Sequence, residues 1–543
     1  MRAILEPFHV VDARDQPHRR GRSAALVGVF AALVSMLASG VPSYWSDEVA
    51  TLRAARLSWP ELFAFLGQKD AVHTGYYSVM KLWVGVFGES EFATRSLSAL
   101  AVGAAAAGLV LLVTSLGSLR IGVVAGVLFA ILPRTTYMGI EARSFALSAA
   151  VAVWATLILL IAARRPSWRW WILYALAVVT GTYLFLYSVL LLAVHAVALL
   201  LDQRTRTVMA RWLVAAGVVV VACVPLLIVS VGQKEQIAWL SDQPVVNVWT
   251  ILVEPAFDSS WLVAAIAWIT ILVLAVRGRR VLASRDGDLL RLAAVWVLLP
   301  LVLLLGADAV IGPLYTARYL SFTVPGMAIL LAVAFTRTPR TGVTWILVGA
   351  VALAGLPTYL AQRGPVAKNG GSDLAQIADY IDTQARPGDA IYLQDTGAVT
   401  LRPRQALYAY PEKFADVRDV AFIAPFTTTG TFSDVTVAWP DIRSQLENVD
   451  RIWVGGRGRL LDGRYQRAAA PAGISRTPFL SDQPLSDRPV RAPADFTGGR
   501  LTPPALGRSG VASSRGGSCG LGHASPPDAR TGGRWPRLSP SRW

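Results

Sequence analysis

About eleven apolar runs, separated by short arginine-bearing segments, leave this chain little choice but to cross a bilayer repeatedly. They are Ala24–Val41, Phe92–Val113, Ile121–Leu132, Phe145–Ala163, Trp171–Leu184, Leu186–Leu201, Trp212–Val231, Trp261–Val276, Leu292–Leu305, Tyr319–Phe335 and Val343–Tyr359. Composition agrees: 54% of the 543 residues are hydrophobic and 16% charged, with mean hydropathy +0.47. A soluble domain carries about 25% charged residues. The formal charge of +16 would point to nucleic acid in a soluble protein. Here the basic residues fall between apolar runs, where they orient a membrane protein, and nucleic-acid binding is excluded on that ground. The two cysteines, Cys223 and Cys519, offer neither a disulfide framework nor a cysteine metal site.

Alternating the runs from a cytoplasmic amino end puts Arg120, then Arg164, Arg165 and Arg169, then Arg204, Arg206 and Arg211 on the cytoplasmic side. Arg277, Arg279, Arg280, Arg285, Arg291, Arg337 and Arg340 join them, whereas the opposite short loops hold only Arg134, Arg143, Lys234 and Arg318. This positive-inside bias fixes the orientation. It also divides the chain: a basic cytoplasmic segment over 1–22, a membrane domain over 23–363 with a long first outer loop over 43–91, and an extracytoplasmic domain over 364–495. In the last, helical spacing over Ser372–Gln384 and short strands at Ala390–Leu393, Val420–Ile423 and Arg451–Val454 predict a small α/β fold, with a helix at Trp439–Leu446. Residues 496–543 are rich in Gly, Ser, Pro and Arg and predict a disordered tail. The expected fold is therefore mostly α, a polytopic membrane protein with a small outer α/β domain.

The chemistry concentrates in the first outer loop. Asp47 and Glu48 follow the first apolar run within a few residues, flanked by Tyr44 and Trp45, aromatic types that favour the membrane interface. Carboxylates so close to hydrocarbon are solvated, paired or at work. Adjacent residues do not share a helix face, so the two acids can take different tasks; a solvated pair, or an amino-terminal cap for a helix Val49–Arg56, is the plainer alternative. A short apolar stretch, Tyr76–Phe87, is expected to lie in the interface as a helix and is preceded by His73, a catalytic or a structural histidine. Glu141 and Arg143 share a short outer loop, and Arg318 stands before a late span. Guanidinium presents a fork of donors suited to a lipid-linked phosphate, and equally to anionic headgroups. No zinc-hydrolase, GxSxG or P-loop pattern occurs, and no divalent metal is indicated.

Together YWSDE, H-x-x-x-Y, GES-EF-x-x-R, EAR-S-F-A-L and A-RYL, spread over Ser43 to Gly364, resemble the GT-C superfamily of integral-membrane glycosyltransferases. The nearest branch is the bacterial protein-mannosyltransferase-like and aminoarabinose-transferase-like one, in an actinobacterial setting. The resemblance implies inverting transfer of a sugar from a polyprenyl-phosphate donor to a cell-envelope glycan, lipid or protein on the outer face of the cytoplasmic membrane. Mannose is the expected sugar, with decaprenyl-phosphomannose as donor and no certain cofactor. Asp47 is then the catalytic base with Glu48 beside it, and Arg143 and Arg318 bind the donor phosphate. His73, Tyr76 and Tyr77, with Glu141 and Tyr319, are expected to bind substrate. Family members often read H-P-P where this chain has His73-Thr74-Gly75. A transporter or flippase of lipid-linked sugars, and a non-catalytic envelope scaffold, are the competing classes; a transporter would want acids within its spans, which are nearly free of them.

Overall fold

The computed structural model describes residues 17–165, 167–201, 208–233, 246–276, 286–337, 340–368, 370–395, 402–446, 449–456 and 459–464. Each expected span lies on helix over most of its length. Among the described residues six helices are long and apolar enough to cross a membrane: Glu91–Leu116, Phe145–Arg164, Met209–Gly232, Gly287–Ile311, Ala317–Thr336 and Thr341–Ala361. Shorter apolar helices lie at Leu119–Ile131, Leu186–Leu201 and Trp261–Val276. The chain is a multi-pass membrane protein. Arg204, Arg206, Lys234, Arg277, Arg279, Arg280 and Arg285, and the expected tail over 496–543, lie outside the described residues.

The first helix, α1 (Pro17–Met36), starts inside the expected basic segment and stops before the apolar run ends. Leu26, Val29 and Leu33 are exposed on one side, as lipid-facing residues are. On the other side α1 crosses α5 (Glu91–Leu116) at paired glycines: a Cβ on Gly28 would meet the Gly103 carbonyl oxygen at 2.9 Å, and one on Gly103 would meet that of Gly28 at 2.8 Å. Small residues permit this approach, which is how helices gain packing energy where lipid offers no hydrophobic drive.

The loop between α1 and α5 is itself helical. It holds α2 (Ser46–Arg56), α3 (Trp59–Gln68) and α4 (Thr74–Phe87). Asp47 and Glu48 occupy the first turn of α2, and Arg53 and Arg56 the last, both favourable to the helix dipole. No side chain caps the helix, so the acids are first-turn residues and not the cap considered above. α3 opens on a Ser58/Glu61 capping box. Asp70, in the left-handed region at φ 56°, turns the chain into α4.

Beyond α5 come α6 (Leu119–Ile131), α7 (Pro133–Met138) and α8 (Phe145–Arg164). After the last span, the helix Leu374–Gln384 covers a four-stranded sheet in the order β2 (Arg418–Asp419), β1 (Ala390–Leu393), β5 (Arg451–Gly456), β6 (Arg459–Arg464). β1 runs parallel to both neighbours, with Ala390 opposite Arg418 and Ile452, and β6 returns antiparallel to β5. Of the strand expected at Val420–Ile423 only Phe422 and Ile423 are extended in a ladder, within β3 (Phe422–Ala424), which pairs with β4 (Val435–Thr436); β2 ends just before it, at Asp419.

This α/β region shares a core with the first loop. Tyr44, Val49 and Leu52 pack with Leu374, Ile377, Ile391, Tyr410 and Trp453. Burying Val49 and Leu52, 2% and 1% exposed, stabilises the arrangement by about 1.5–3 kcal/mol each. Tyr44 and Trp45, expected at the membrane interface, are 1% and 3% exposed. The Tyr44 hydroxyl lies 2.7 Å from Thr94 Oγ1, and its ring stacks obliquely on Tyr410, so protein and not lipid surrounds it.

Candidate active site

Because α2 presents successive residues 100° apart, Asp47 and Glu48 leave it in different directions. Glu48 is fully buried. It accepts hydrogen bonds from Arg95 Nε at 2.9 Å, Arg95 Nη2 at 2.7 Å and the Ala142 amide at 2.8 Å. Burial alone would raise its pKa, but the Arg95 charge and hydrogen bonds outweigh this and hold the carboxyl below its ordinary value. The remaining Arg95 donors reach the carbonyls of Ser39 and Pro42 at 2.7 Å and Ser43 at 3.3 Å. One guanidinium thus ties the turn after α1 to the start of α2.

Asp47 points the other way, with 28% of its side chain exposed. Its Oδ2 lies 3.2 Å from Arg318 Nη1 and 4.0 Å from Arg143 Nη2. The guanidinium of Arg318 also stands 5.5 Å from the Trp45 ring centre. Arg143 donates to the Asp47 carbonyl at 3.3 Å and to the Tyr77 hydroxyl at 3.2 Å, and its Nη2 meets His73 Nε2 at 2.9 Å. A guanidinium only donates, so Nε2 accepts and the imidazole proton sits on Nδ1. Burial, with Arg143 and Arg318 nearby, pushes the His73 pKa well below its ordinary value, and the ring is neutral at pH 7. The Tyr77 hydroxyl donates onward to Asp70 Oδ2 at 2.8 Å. Burial raises the Asp70 carboxyl above its usual value against the pull of Arg143.

Asp47, Arg143, Arg318, His73 and Tyr77 therefore form one cluster although they come from residues 47 to 318 of the sequence. Tyr76 is buried behind it with no hydrogen-bond partner for its hydroxyl among the described residues. Glu141 is 2% exposed, so it backs the site and does not line an open surface. Tyr319 is half-buried and stacks on Tyr187 at 4.9 Å between ring centres, extending an aromatic wall beside Arg318.

Sequence reasoning missed three members. Arg95 closes the GES-EF-x-x-R motif, which by itself assigns it no role; an arginine near the start of an apolar span is costly unless paired, and that is the available signal. Asp70 had none, because its partner Tyr77 is brought to it by the turn at 70–73. Lys368 follows the last span and is fully buried, a placement only tertiary structure reveals.

The chain carries two guanidiniums around one exposed carboxylate, a geometry able to take a proton and hold a phosphate side by side. Among the described residues no cluster of His, Cys, Asp or Glu is arranged to hold a metal.

Residues 75–229 match the Dolichyl-phosphate-mannose-protein mannosyltransferase family. No curated protein matches the chain. Among solved structures it is similar to ArnT from Cupriavidus metallidurans bound to undecaprenyl phosphate, at 16% identity and TM-score 0.49, over 73% of this chain and 89% of that one. It is also similar to the oligosaccharyltransferase AglB from Archaeoglobus fulgidus in complex with an inhibitory peptide and a dolichol-phosphate, at 11% identity and TM-score 0.42, over 79% of this chain and 69% of that one.

Proposed function

We propose, from the motifs over Ser43 to Gly364 that resemble the GT-C superfamily and the mannosyltransferase-family match over residues 75–229, that the chain is an inverting glycosyltransferase using a polyprenyl-phosphate sugar donor. The observation that carries this reading is the half-open carboxylate of Asp47 set between Arg318 at 3.2 Å and Arg143 at 4.0 Å. Asp47 removes the acceptor hydroxyl proton as its oxygen attacks the anomeric carbon. The bond from that carbon to the phosphate oxygen breaks, and the donor phosphodiester, a monoanion, leaves as a polyprenyl phosphate dianion. Arg143 and Arg318 receive the added charge, an electrostatic role that needs no rearrangement during reaction. A single displacement inverts the anomeric configuration.

The sugar is mannose and the acceptor a cell-envelope glycan, lipid or protein, on the reading that the matched family is a mannosyl one. The protein sits in the cytoplasmic membrane with its amino end inside and the site and α/β region outside. The distribution of arginines between the apolar runs supports that orientation. The residues proposed to act are Asp47 as base, Arg143 and Arg318 on the phosphate, and His73, Tyr77 and Tyr319 around the substrate. Glu48, bound to Arg95, orients the turn that carries Asp47.

The test uses membranes containing the full chain and polyprenyl-phosphate sugars of several types. Transfer with inverted configuration from the mannosyl donor, abolished by Asp47→Asn at unchanged expression, is the expected result. Undiminished transfer by Asp47→Asn removes the base assignment, and absence of transfer from every donor removes the reading.

A further inference from the structure

The chain that leaves the last span returns beneath the catalytic loop as a strap. Arg363 fastens its start, donating from Nε to the Leu37 carbonyl at 2.8 Å and from Nη2 to that of Val34 at 3.0 Å. The Pro365 carbonyl then accepts from the Ser43 amide at 2.8 Å, and Ser372 Oγ donates to the Tyr44 carbonyl at 2.6 Å. The Ala375 amide closes the strap on Ser43 Oγ at 2.9 Å. Between these fastenings Lys368 is driven inward to 0% exposure, its Nζ 4.1 Å from the Tyr137 ring centre.

A buried ammonium is costly unless an opposite charge answers it. Its Nζ finds no hydrogen-bond partner among the described residues, and neither does Glu141 Oε1. The charges that face Lys368 are Glu48 on α2, Glu141 on the turn after α7, Arg95 on α5 and Asp258 beyond the Glu254–Phe257 turn. Glu48 is already satisfied by Arg95 and the Ala142 amide, so Glu141 is the acid left to Lys368, whose charge acts on it ahead of that of Arg318. The backbone of Glu141 is pinned elsewhere: its carbonyl accepts from Ser98 Oγ at 2.6 Å and from the Arg143 amide at 2.8 Å. Two residues on is the guanidinium beside Asp47.

We propose that Lys368 is a positioning residue for sugar transfer: its ammonium neutralises Glu141 and thereby fixes the turn that aims Arg143 at the departing phosphate. This rests on the transferase reading above. The strap then links a seated α/β region to a working site, because the fastenings at Arg363, Pro365, Ser372 and Ala375 hold Lys368 buried over the Tyr137 ring, on the Glu141 side of the site. Burial lowers the Lys368 pKa to about 8, against the pull of Glu48 and Glu141, so the pairing fails in mildly alkaline solution.

The experiment measures kcat and KM against pH for the full chain in liposomes, as wild type, Lys368→Met, Lys368→Arg and the double variant Lys368→Met/Glu141→Gln. Wild type should lose rate above about pH 8. Lys368→Met should lower kcat by ~10²-fold, the effect of misplacing a reacting group. Lys368→Arg should retain rate with the alkaline decline moved upward. The double variant should recover at least roughly tenfold over Lys368→Met and lose that decline. A Lys368→Met protein with wild-type rate and pH profile overturns the proposal, as does a double variant no better than the single. If Lys368→Met does not fold, recovery of a folded, active double variant supports the pairing and its failure overturns it. Should the wild type transfer no sugar, the functional reading fails separately, and the pairing is read from thermal midpoints: the single lowered and the double restored, or not.

Discussion

Glu48→Ala and Asp47→Asn separate the two carboxylates by their consequences. Glu48 is 0% exposed and takes two hydrogen bonds from Arg95, at 2.9 and 2.7 Å, plus one from the Ala142 amide. Truncating it leaves a fully buried guanidinium with three backbone carbonyls and no ion-pair partner within reach among the described residues. Removing one partner of such a pair costs about 3–5 kcal/mol. The stranded Ala142 amide adds a further ~1–3 kcal/mol. The sum approaches the whole stability of an ordinary domain, so Glu48→Ala should yield little monodisperse protein. Glu48→Gln, which keeps the amide's acceptor, should fold with a lowered melting midpoint. Asp47→Asn strands no fully buried charge, since 28% of its side chain meets solvent. It should melt within a few degrees of wild type while transfer falls ~10³-fold, equivalent to about 4 kcal/mol of transition-state stabilisation. The assay is melting of the detergent-solubilised chain beside transfer from a lipid-linked donor. A Glu48→Ala protein that melts like wild type would refute the electrostatic argument.

Arg143→Lys and Arg318→Lys keep the charge but lose the two-pronged fork, so each should weaken binding of a short polyprenyl phosphate about tenfold, and each alanine variant ~10²-fold; unchanged titration curves would dismiss them as phosphate ligands. His73 is held neutral, so below about pH 6.5 the unfolded chain binds a proton that the folded one refuses, and stability should fall by about 1.4 kcal/mol per pH unit. His73→Gln should flatten that slope, and an equally steep slope in the variant would clear His73 of the effect. A Cβ on Gly75 would meet the Tyr183 carbonyl oxygen at 2.7 Å, so Gly75→Ala should destabilise by about 1–3 kcal/mol, read as a lower midpoint; a neutral result would show that α4 can shift.

The Gly75 contact also explains a departure visible in the sequence. At His73-Thr74-Gly75, where the sequence departs from the H-P-P pattern of the family it resembles, this chain needs a residue without a side chain because α4 abuts the end of the helix Trp168–Leu184. The spans were legible because lipid imposes a length and an apolarity on every crossing, and β1 was legible to the residue because burial on all four positions leaves a short apolar word. Asp47, Arg143 and Arg318 could be singled out because charge at a membrane boundary is rare enough to notice. The helical content of the first loop was only partly legible: α2 is too short to show a period, and its stability comes from packing with residues more than three hundred positions away. Lys368 and Asp70 escaped for the same reason, since each acquires its meaning from neighbours that sequence order does not supply.

The shared core between α2 and the α/β region sets an order of events during synthesis. Tyr44 emerges from the ribosome early, yet its amide waits for the hydroxyl of Tyr410, 366 residues later. Every span after the first is made in that interval, so the reaction centre cannot be assembled by a partly translated chain. A truncation just beyond the last crossing would leave a membrane-inserted protein whose front loop has lost one wall of its core.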